Sequence, residues 1–472
     1  MPSLDLRSSG NAEQTLELAT FAANLRYDDL PVDVVAKAKA CILDALGCCL
    51  AGVTQPWTRH LIDFVEEEGG HPRSRIIGTS LRTSVAQAAL VGSTAGHGFE
   101  MDDIHAVAHL HAGSLTIPVA LAIADAEGST TGRALIASVV AGYEAGLRVG
   151  IAATGSLFMR GHHFQGTCGT FVAAATAVNA LQLAPEAARN AFGVSGSFAA
   201  GLMAAQEGAM SKRLHAGHAA QMGVTGAYLA RRGLTGISNI LEAPYGGFLS
   251  TLSGAPDLDQ LTMGLGTHWV IREVGFKPYP TAASVHSVLH AIDTLMRDHT
   301  LAADDIENLR IHCSTMAHRH CAWPYKPAGV TAAQMNMLFT TAMMIVDRAI
   351  GPDQFADDRL ADPAILAMID RVQVEADPAY DLGGDASRHA ARVEICTRGG
   401  HTYRLEMLHR PGSPANPMSV EALRSKFVGA AASVLPSGRA QEIERFVETL
   451  EDRDARELTD LLVPATSANA AA

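Results

Sequence analysis

Apolar residues recur at helical spacing through most of the first half of the chain, and the pattern changes character after about residue 266. Residues 16–25 and 32–50 each carry an apolar stripe, and Pro31 between them predicts two separate helices. Helical patterns follow at 115–126, 134–153, 168–183, 185–195 and 217–231. The later ones are rich in Ala and Gly, whose small side chains let helix axes approach closely. They read as central helices of a compact all-α domain spanning 1–265.

Beyond it, 268–274, 306–313, 371–375 and 392–396 are strand-like. The last of these runs through Thr397-Arg398-Gly399-Gly400 into 401–408, a hairpin pattern. Helical patterns at 284–297 and 332–349 lie between the strands, so 266–409 reads as an α+β domain. A Pro-rich stretch at 410–417 closes it. Helices at 420–431 and 440–449 then return to the first domain within 410–462, and 463–472 reads as a disordered tail. The fold class is therefore mainly α, with a smaller α+β part. No internal repeat is evident.

Two histidine-bearing turns feed into long, almost uncharged helices. One is His111-Ala112-Gly113-Ser114; the other is Gly161-His162-His163-Phe164-Gln165-Gly166-Thr167. Ser114 and Thr167 stand where an N-cap is wanted, so each His lies just upstream of a helix N-terminus. Free N–H groups and the helix dipole favour anions there. A titratable base beside an anion site suits chemistry on a carboxylate.

The run His97-Gly98-Phe99-Glu100-Met101-Asp102-Asp103-Ile104-His105, continuing to His109 and His111, concentrates imidazoles and acids. It has three readings: a divalent metal held by His105 and His109 with Asp102 or Asp103, proton transfer by an imidazole that one of those acids orients, or a polar loop with capping acids. Ser211-Lys212-Arg213-Leu214-His215-Ala216-Gly217-His218 places cations before a helix of small residues. A buried Lys there can clamp a carboxylate or act as a base; the alternative is a solvated basic turn. In Phe276-Lys277-Pro278-Tyr279-Pro280 the prolines stiffen the backbone that presents Lys277.

Composition narrows the classes. Over 472 residues, 48% are hydrophobic and 18% charged, as in a well-buried globular protein of two domains. A formal net charge of -13 argues against nucleic acid or an anionic membrane as partner. The seven cysteines show no framework spacing and read as reduced, which points to the cytoplasm. Residues 1–15 lack the apolar core of a signal peptide. The apolar stretch 134–153 is interrupted by Glu144 and Arg148 at i,i+4, which fits a buried helix better than a span. Phosphate-cradling loops, G-x-S-x-G elbows and C-x-x-C pairs are missing from the sequence.

Taken in order, these motifs resemble the MmgE/PrpD family. The set comprises Asp102-Asp103, His111-Ala112-Gly113-Ser114, Gly161-His162-His163-Phe164, Lys212-Arg213-Leu214-His215-Ala216-Gly217 and Tyr245-Gly246-Gly247-Phe248. It continues with Phe276-Lys277-Pro278-Tyr279-Pro280 and His286, then Asn416-Pro417 before Lys426-Phe427. The family includes 2-methylcitrate dehydratase, cis-aconitate decarboxylase and iminodisuccinate epimerase. The resemblance implies a helical domain built from both chain ends with the α+β part inserted as a lid, a homodimer, and chemistry without a cofactor; it assigns no metal ligand.

It also implies a site of Asp102, Asp103, His111, His163, Lys212, Lys277 and Tyr325, with Arg213 and His286 from the same motifs contacting substrate. His163 is expected as the base and His111 or Tyr325 as the acid, though these roles can be exchanged. Lys212, Lys277 and the helix N-termini would stabilise a carbanion or enediolate. Ala112 and Phe164 replace expected prolines. Ala282 stands where the decarboxylase-like pattern has a His, so the expected order is hydro-lyase, epimerase, decarboxylase, each acting on a small di- or tricarboxylate. A metal-dependent hydrolase using His105 and His109, or a non-catalytic carboxylate binder, is the alternative from another class.

Overall fold

A computed structural model describes residues 13–384 and 387–464. The expected tail at 463–472 and the leader region at 1–15 fall almost wholly outside the described residues. The fold is mainly α, 57% helix and 9% strand. Helices Gln14–Asn24, Val32–Val53, Val85–Gly96, Gly113–Glu127, Gly132–Met159, Gly169–Ala180, Pro185–Gly196 and Ser211–Ala230 share one apolar core. Helices Val420–Ala431 and Arg439–Glu448 from the far end of the chain join the same core through Leu423, Phe427, Ile443 and Phe446. A second core, formed largely by residues between Ala282 and Ile395, belongs to the inserted α+β part.

Small residues do set helix separation in the large core. A Cβ on Gly146 would come within 2.1 Å of the Val172 side chain, so Gly132–Met159 and Gly169–Ala180 touch almost backbone to backbone. Gly132–Met159 is long and apolar enough to cross a membrane by length and composition, yet 89% of its apolar window is buried inside the fold.

Its two charges explain a departure from expectation. Glu144 accepts hydrogen bonds from the N–H groups of Val270 (3.2 Å) and Ile271 (3.0 Å). Arg148 donates to the carbonyls of Met263 (2.6 Å) and His268 (2.7 Å). The backbone groups of the segment expected as a strand at 268–274 are thus spent on a buried ion pair. It forms a 3-10 turn, Val270–Glu273, and only Val274–Gly275 pairs as strand, against Ile104–His105.

The inserted part carries a four-stranded sheet in the order Val372–Ala376, Ile306–Cys313, Ala391–Thr397, Thr402–Met407; the first pair is parallel and the others antiparallel. Strict alternation along Ala391–Thr397 turns Val393 and Ile395 into the core shared with helix His286–Asp298. The helix expected at 332–349 is broken at Asn336, which is extended (φ -97°, ψ 120°). Its side chain accepts from Phe339 N–H (3.0 Å) and donates to Trp323 O (2.6 Å), capping the second piece. All seven cysteines are free thiols.

Candidate active site

The two histidine turns do lie at helix starts, but their hydroxyls work differently from expectation. Ser114 Oγ donates to His111 O (2.9 Å), and Thr167 Oγ1 donates to His163 O (3.0 Å). Neither accepts from a helix N–H. At the first helix that task falls to Asp103, whose Oδ1 accepts from Gly113 N–H at 3.0 Å. Gln165 joins the turns: its Oε1 accepts from His111 N–H (3.1 Å), and its amide donates to His111 O and Ser114 Oγ, both at 3.0 Å. Gly166 permits a different close approach, that of Ala200, since a Cβ there would stand 2.2 Å from Ala200 O.

The His111 Nδ1 lies 2.6 Å from Asp103 O and 3.4 Å from Asp102 Oδ1. A carbonyl only accepts, so Nδ1 carries the proton and the Nε2 of neutral His111 presents a lone pair. Burial lowers its pKa to about 3 against the pull of Asp102, so it is neutral at physiological pH. Asp102 Oδ2 also holds His97 Nδ1 at 2.8 Å. Burial pushes Asp102 up, but His111, His97 and Lys277 outweigh that and hold it well below the usual carboxylate range. Its neighbour Asp103 behaves oppositely: burial raises it to about 7, despite the Tyr143 hydroxyl donating at 2.5 Å.

His163 is fastened to another imidazole, with its Nδ1 2.9 Å from His215 Nδ1. Burial, then Lys212 and His97, hold His163 well below its usual value. Burial, Lys212 and His97 also lower His215, to about 4.

Glu100 is the electrostatic hub that the sequence did not single out. Its carboxylate accepts from Lys212, from Arg213 and from Lys277 (3.2 Å), and its carbonyl accepts from Lys277 at 3.2 Å. Burial pushes Glu100 up, yet the three cations bring it well below the normal range. It sits at φ 55°, a left-handed conformation held by this network. Burial lowers Lys212 to about 8 although Glu100 opposes it.

These groups open onto a cavity between the helical part and the insert. His111, His163, Lys212, Lys277 and Glu100 line one wall; Ser284, His320, Arg388 and His389 line the facing wall. His320 Nδ1 is 3.1 Å from Ser284 Oγ, and burial with Arg388 nearby lowers it to about 3. Phe158 and Phe164 add apolar surface, with His109 stacked on Phe164 at 4.7 Å between ring centroids.

Of the residues expected in the site, His111, His163, Lys212 and Lys277 reach the cavity. Asp102 and Asp103 stand directly behind them. Arg213 is buried behind Glu100, bonded to Gln334 (2.7 Å) and lying over the Trp57 ring. His286 Nε2 donates to Thr281 O at 3.4 Å, away from the cavity. Tyr325 also lies outside it, donating to Leu360 O (2.9 Å) and stacking on Phe339. His105 and His109 occupy a strand and a turn, so their spacing does not place them on one helix face. His105 Nε2 sits 3.2 Å from Glu273 instead.

Among the described residues, His97, Asp102 and His111 are close enough to share an ion, their donor atoms lying within 4.8 Å. Lys277 already places its ammonium 3.7 Å from Asp102, supplying the positive charge an ion would bring. The sequence carried one cue to the hub, since adjacent Lys212 and Arg213 in an apolar setting require a buried acid. No local pattern points to His320, Arg388 or His389, which the insert's topology delivers.

Comparison with known proteins identifies the family. The MmgE/PrpD N-terminal domain model matches residues 16–261 and the MmgE/PrpD C-terminal domain model matches 279–452. A cis-aconitate decarboxylase of Aspergillus terreus (strain NIH 2624 / FGSC A1156) is 30% identical over 464 residues, covering 94% of both chains. The cis-aconitate decarboxylase-like protein oryM of Aspergillus oryzae is 29% identical, over 97% of this chain and 98% of its own. A cis-aconitate decarboxylase of Homo sapiens is 25% identical over 95% of this chain and 94% of its own. With both domain models matched along nearly its whole length, the chain belongs to the MmgE/PrpD family.

Proposed function

We propose that this lyase acts on a small tricarboxylate without a cofactor, and that decarboxylation of cis-aconitate is the first reaction to test. The observation that carries the reading is the cavity: three cationic side chains, Lys212, Lys277 and Arg388, line it together with one carboxylate, Glu100. Neutral imidazoles stand between them. Such a site attracts a polyanion and has groups ready to move a proton. The curated relatives named above favour decarboxylation over dehydration and epimerisation, which use the same machinery. Ala282 lines the cavity where an imidazole was expected, but His320 supplies one to the same space from the insert.

In this reaction the C–CO₂ bond breaks and its electron pair passes to the carbon chain, delocalised toward a remaining carboxylate. The lysines stabilise that charge. An imidazole then delivers a proton to carbon, and carbon dioxide leaves. One proton is consumed per turnover. Asp102 keeps His97 and His111 oriented, and Glu100 keeps both lysines in place.

The free cysteines fit a reducing compartment such as the cytoplasm, and the family resemblance supports a homodimer; light scattering tests the latter. The function is tested by incubating the protein with cis-aconitate, 2-methylcitrate and iminodisuccinate separately and following carbon dioxide release and product formation. Carbon dioxide from cis-aconitate supports the reading. A new alkene from 2-methylcitrate without carbon dioxide would replace it with the hydro-lyase.

A further inference from the structure

A neutral imidazole that gives up its only proton becomes an anion, unless its other nitrogen is reprotonated in the same event. His111 has no means of doing this, because its Nδ1 faces the Asp103 carbonyl, which holds no proton to give. His163 is placed differently, with Nδ1 2.9 Å from the Nδ1 of a second imidazole, His215. In one arrangement of this pair His215 Nδ1 donates to His163 Nδ1, leaving a proton on His163 Nε2 toward the cavity. In the other, the bond is reversed and His163 Nε2 is a lone pair.

The pair also joins two spaces. His163 lines the buried cavity, and His215 lines a separate groove on the outside of the helical part. That groove is open: Leu202 is 64% and Leu214 40% exposed, and His215 itself is half-buried. Close backbone approach makes the arrangement possible, since a Cβ on Gly201 would sit 3.3 Å from His215 Nδ1. Lys212, one helical turn earlier, and His218, one turn later, flank His215 on the same helix, and His97 lies against its partner His163, 5.7 Å between ring centroids.

The geometry points to His215 as the positioning residue that makes His163 the proton donor of the reaction, by passing its own Nδ1 proton to His163 as His163 Nε2 protonates carbon. This rests on the decarboxylation reading above, in which each turnover must deliver one proton to carbon. The atoms balance. The carbanion takes the Nε2 proton of His163 and a C–H bond forms. His163 Nδ1 takes the Nδ1 proton of His215, and His215 Nε2 takes a proton from water in the groove. Both rings are neutral before and after, so a buried imidazolium is never required, in keeping with the lowered basicity of both rings. After product leaves and the cavity is wetted, the three transfers run backward with a proton from solvent, restoring the first arrangement. His111, locked with its lone pair toward the cavity, cannot take this donor role.

Two measurements test this. In the first, His215→Ala is assayed with cis-aconitate: kcat falls at least about tenfold while KM stays within about twofold. Added imidazole, entering from the groove, restores turnover saturably. His215→Asn, which fills the space but cannot pass a proton through, stays slow and is not rescued. Wild-type turnover in His215→Asn, or a rise in KM without imidazole rescue in a folded His215→Ala, overturns the proposal. The second needs no substrate: exchange of the imidazole C2 hydrogen into D₂O, read residue by residue by mass spectrometry. His215→Phe removes the proton partner and closes the groove side, so exchange at His163 slows at least about threefold while exchange at His111 is unchanged. Equal rates at His163 overturn the pairing. If exchange responds this way but wild-type protein converts none of the acids, the pairing stands and the decarboxylation reading falls.

Discussion

The His111 and His163 turns look alike in sequence, each a His a few residues before a hydroxyl residue and an apolar helix, yet the fold fastens them to different kinds of partner. His111 is held by a backbone carbonyl and a carboxylate, His163 by another imidazole. A carbonyl fixes one tautomer; an imidazole permits two. Chemistry in this cavity is therefore decided less by the histidines than by what sits behind them, and those partners come from other segments.

Removing either imidazole should have the largest kinetic effect. His163→Ala and His111→Ala should each lower kcat by about 10²–10⁴-fold with KM within a few-fold. The comparison predicts that His215→Asn adds little once His163 is gone but adds fully to His111→Ala, which a double-mutant cycle measures. Equal additivity in both backgrounds would erase the difference between the turns.

Next in size is the shared floor. Glu100→Ala strands Lys212, Arg213 and Lys277 in the interior, and loss of such a buried partner costs about 3–5 kcal/mol. Thermal or urea unfolding should show that loss, whereas a change under about 1 kcal/mol would mean that the cations find water instead.

Asp102→Asn acts first on His111 and His97, the two imidazoles that Asp102 contacts. It should lower kcat about 10–100-fold, as expected for losing the group that orients a proton-transfer imidazole. Asp102 is depressed in the folded state, so its stabilisation is complete above its unfolded value near 3.9 and is lost as pH falls through the folded one. Acid unfolding below about pH 4 should accordingly be shallower in Asp102→Asn. An unchanged acid limb would remove Asp102 from the account.

Gln165→Leu uncouples the turns while keeping the volume. It leaves His111 N–H without its partner in a buried setting and should cost about 1–3 kcal/mol. The smallest effect is expected from Tyr325→Phe. Its hydroxyl bonds Leu360 O outside the cavity, so about 0.5–1.5 kcal/mol of stability is at stake and kcat should stay within about twofold. A tenfold loss of kcat would show that the Tyr325 loop swings into the cavity during turnover.

Much of this was legible before any coordinates. Helical and strand periodicities located the helix at 420–431 and the strand at 306–313, because their faces are buried as their patterns require. Long-range polar partners were not legible. The segment 268–274 looks like a strand until Glu144 and Arg148 claim its backbone. Asn336 breaks an apolar run because its amide finds Trp323 O. The four side chains brought to the cavity, His111, His163, Lys212 and Lys277, stand in motifs with local signatures. Glu100, His215, His320 and Arg388 acquire meaning only when distant segments meet.

The central claim is that neutral imidazoles in a cationic cavity move a proton to or from carbon beside a carboxylate. Proton NMR of the wild-type enzyme with cis-aconitate in D₂O tests it most directly. The account predicts a five-carbon product carrying one deuterium on the carbon that was protonated, formed by wild type and lost in His163→Ala. A wild-type enzyme that leaves cis-aconitate and the other acids unconverted and free of deuterium would contradict it.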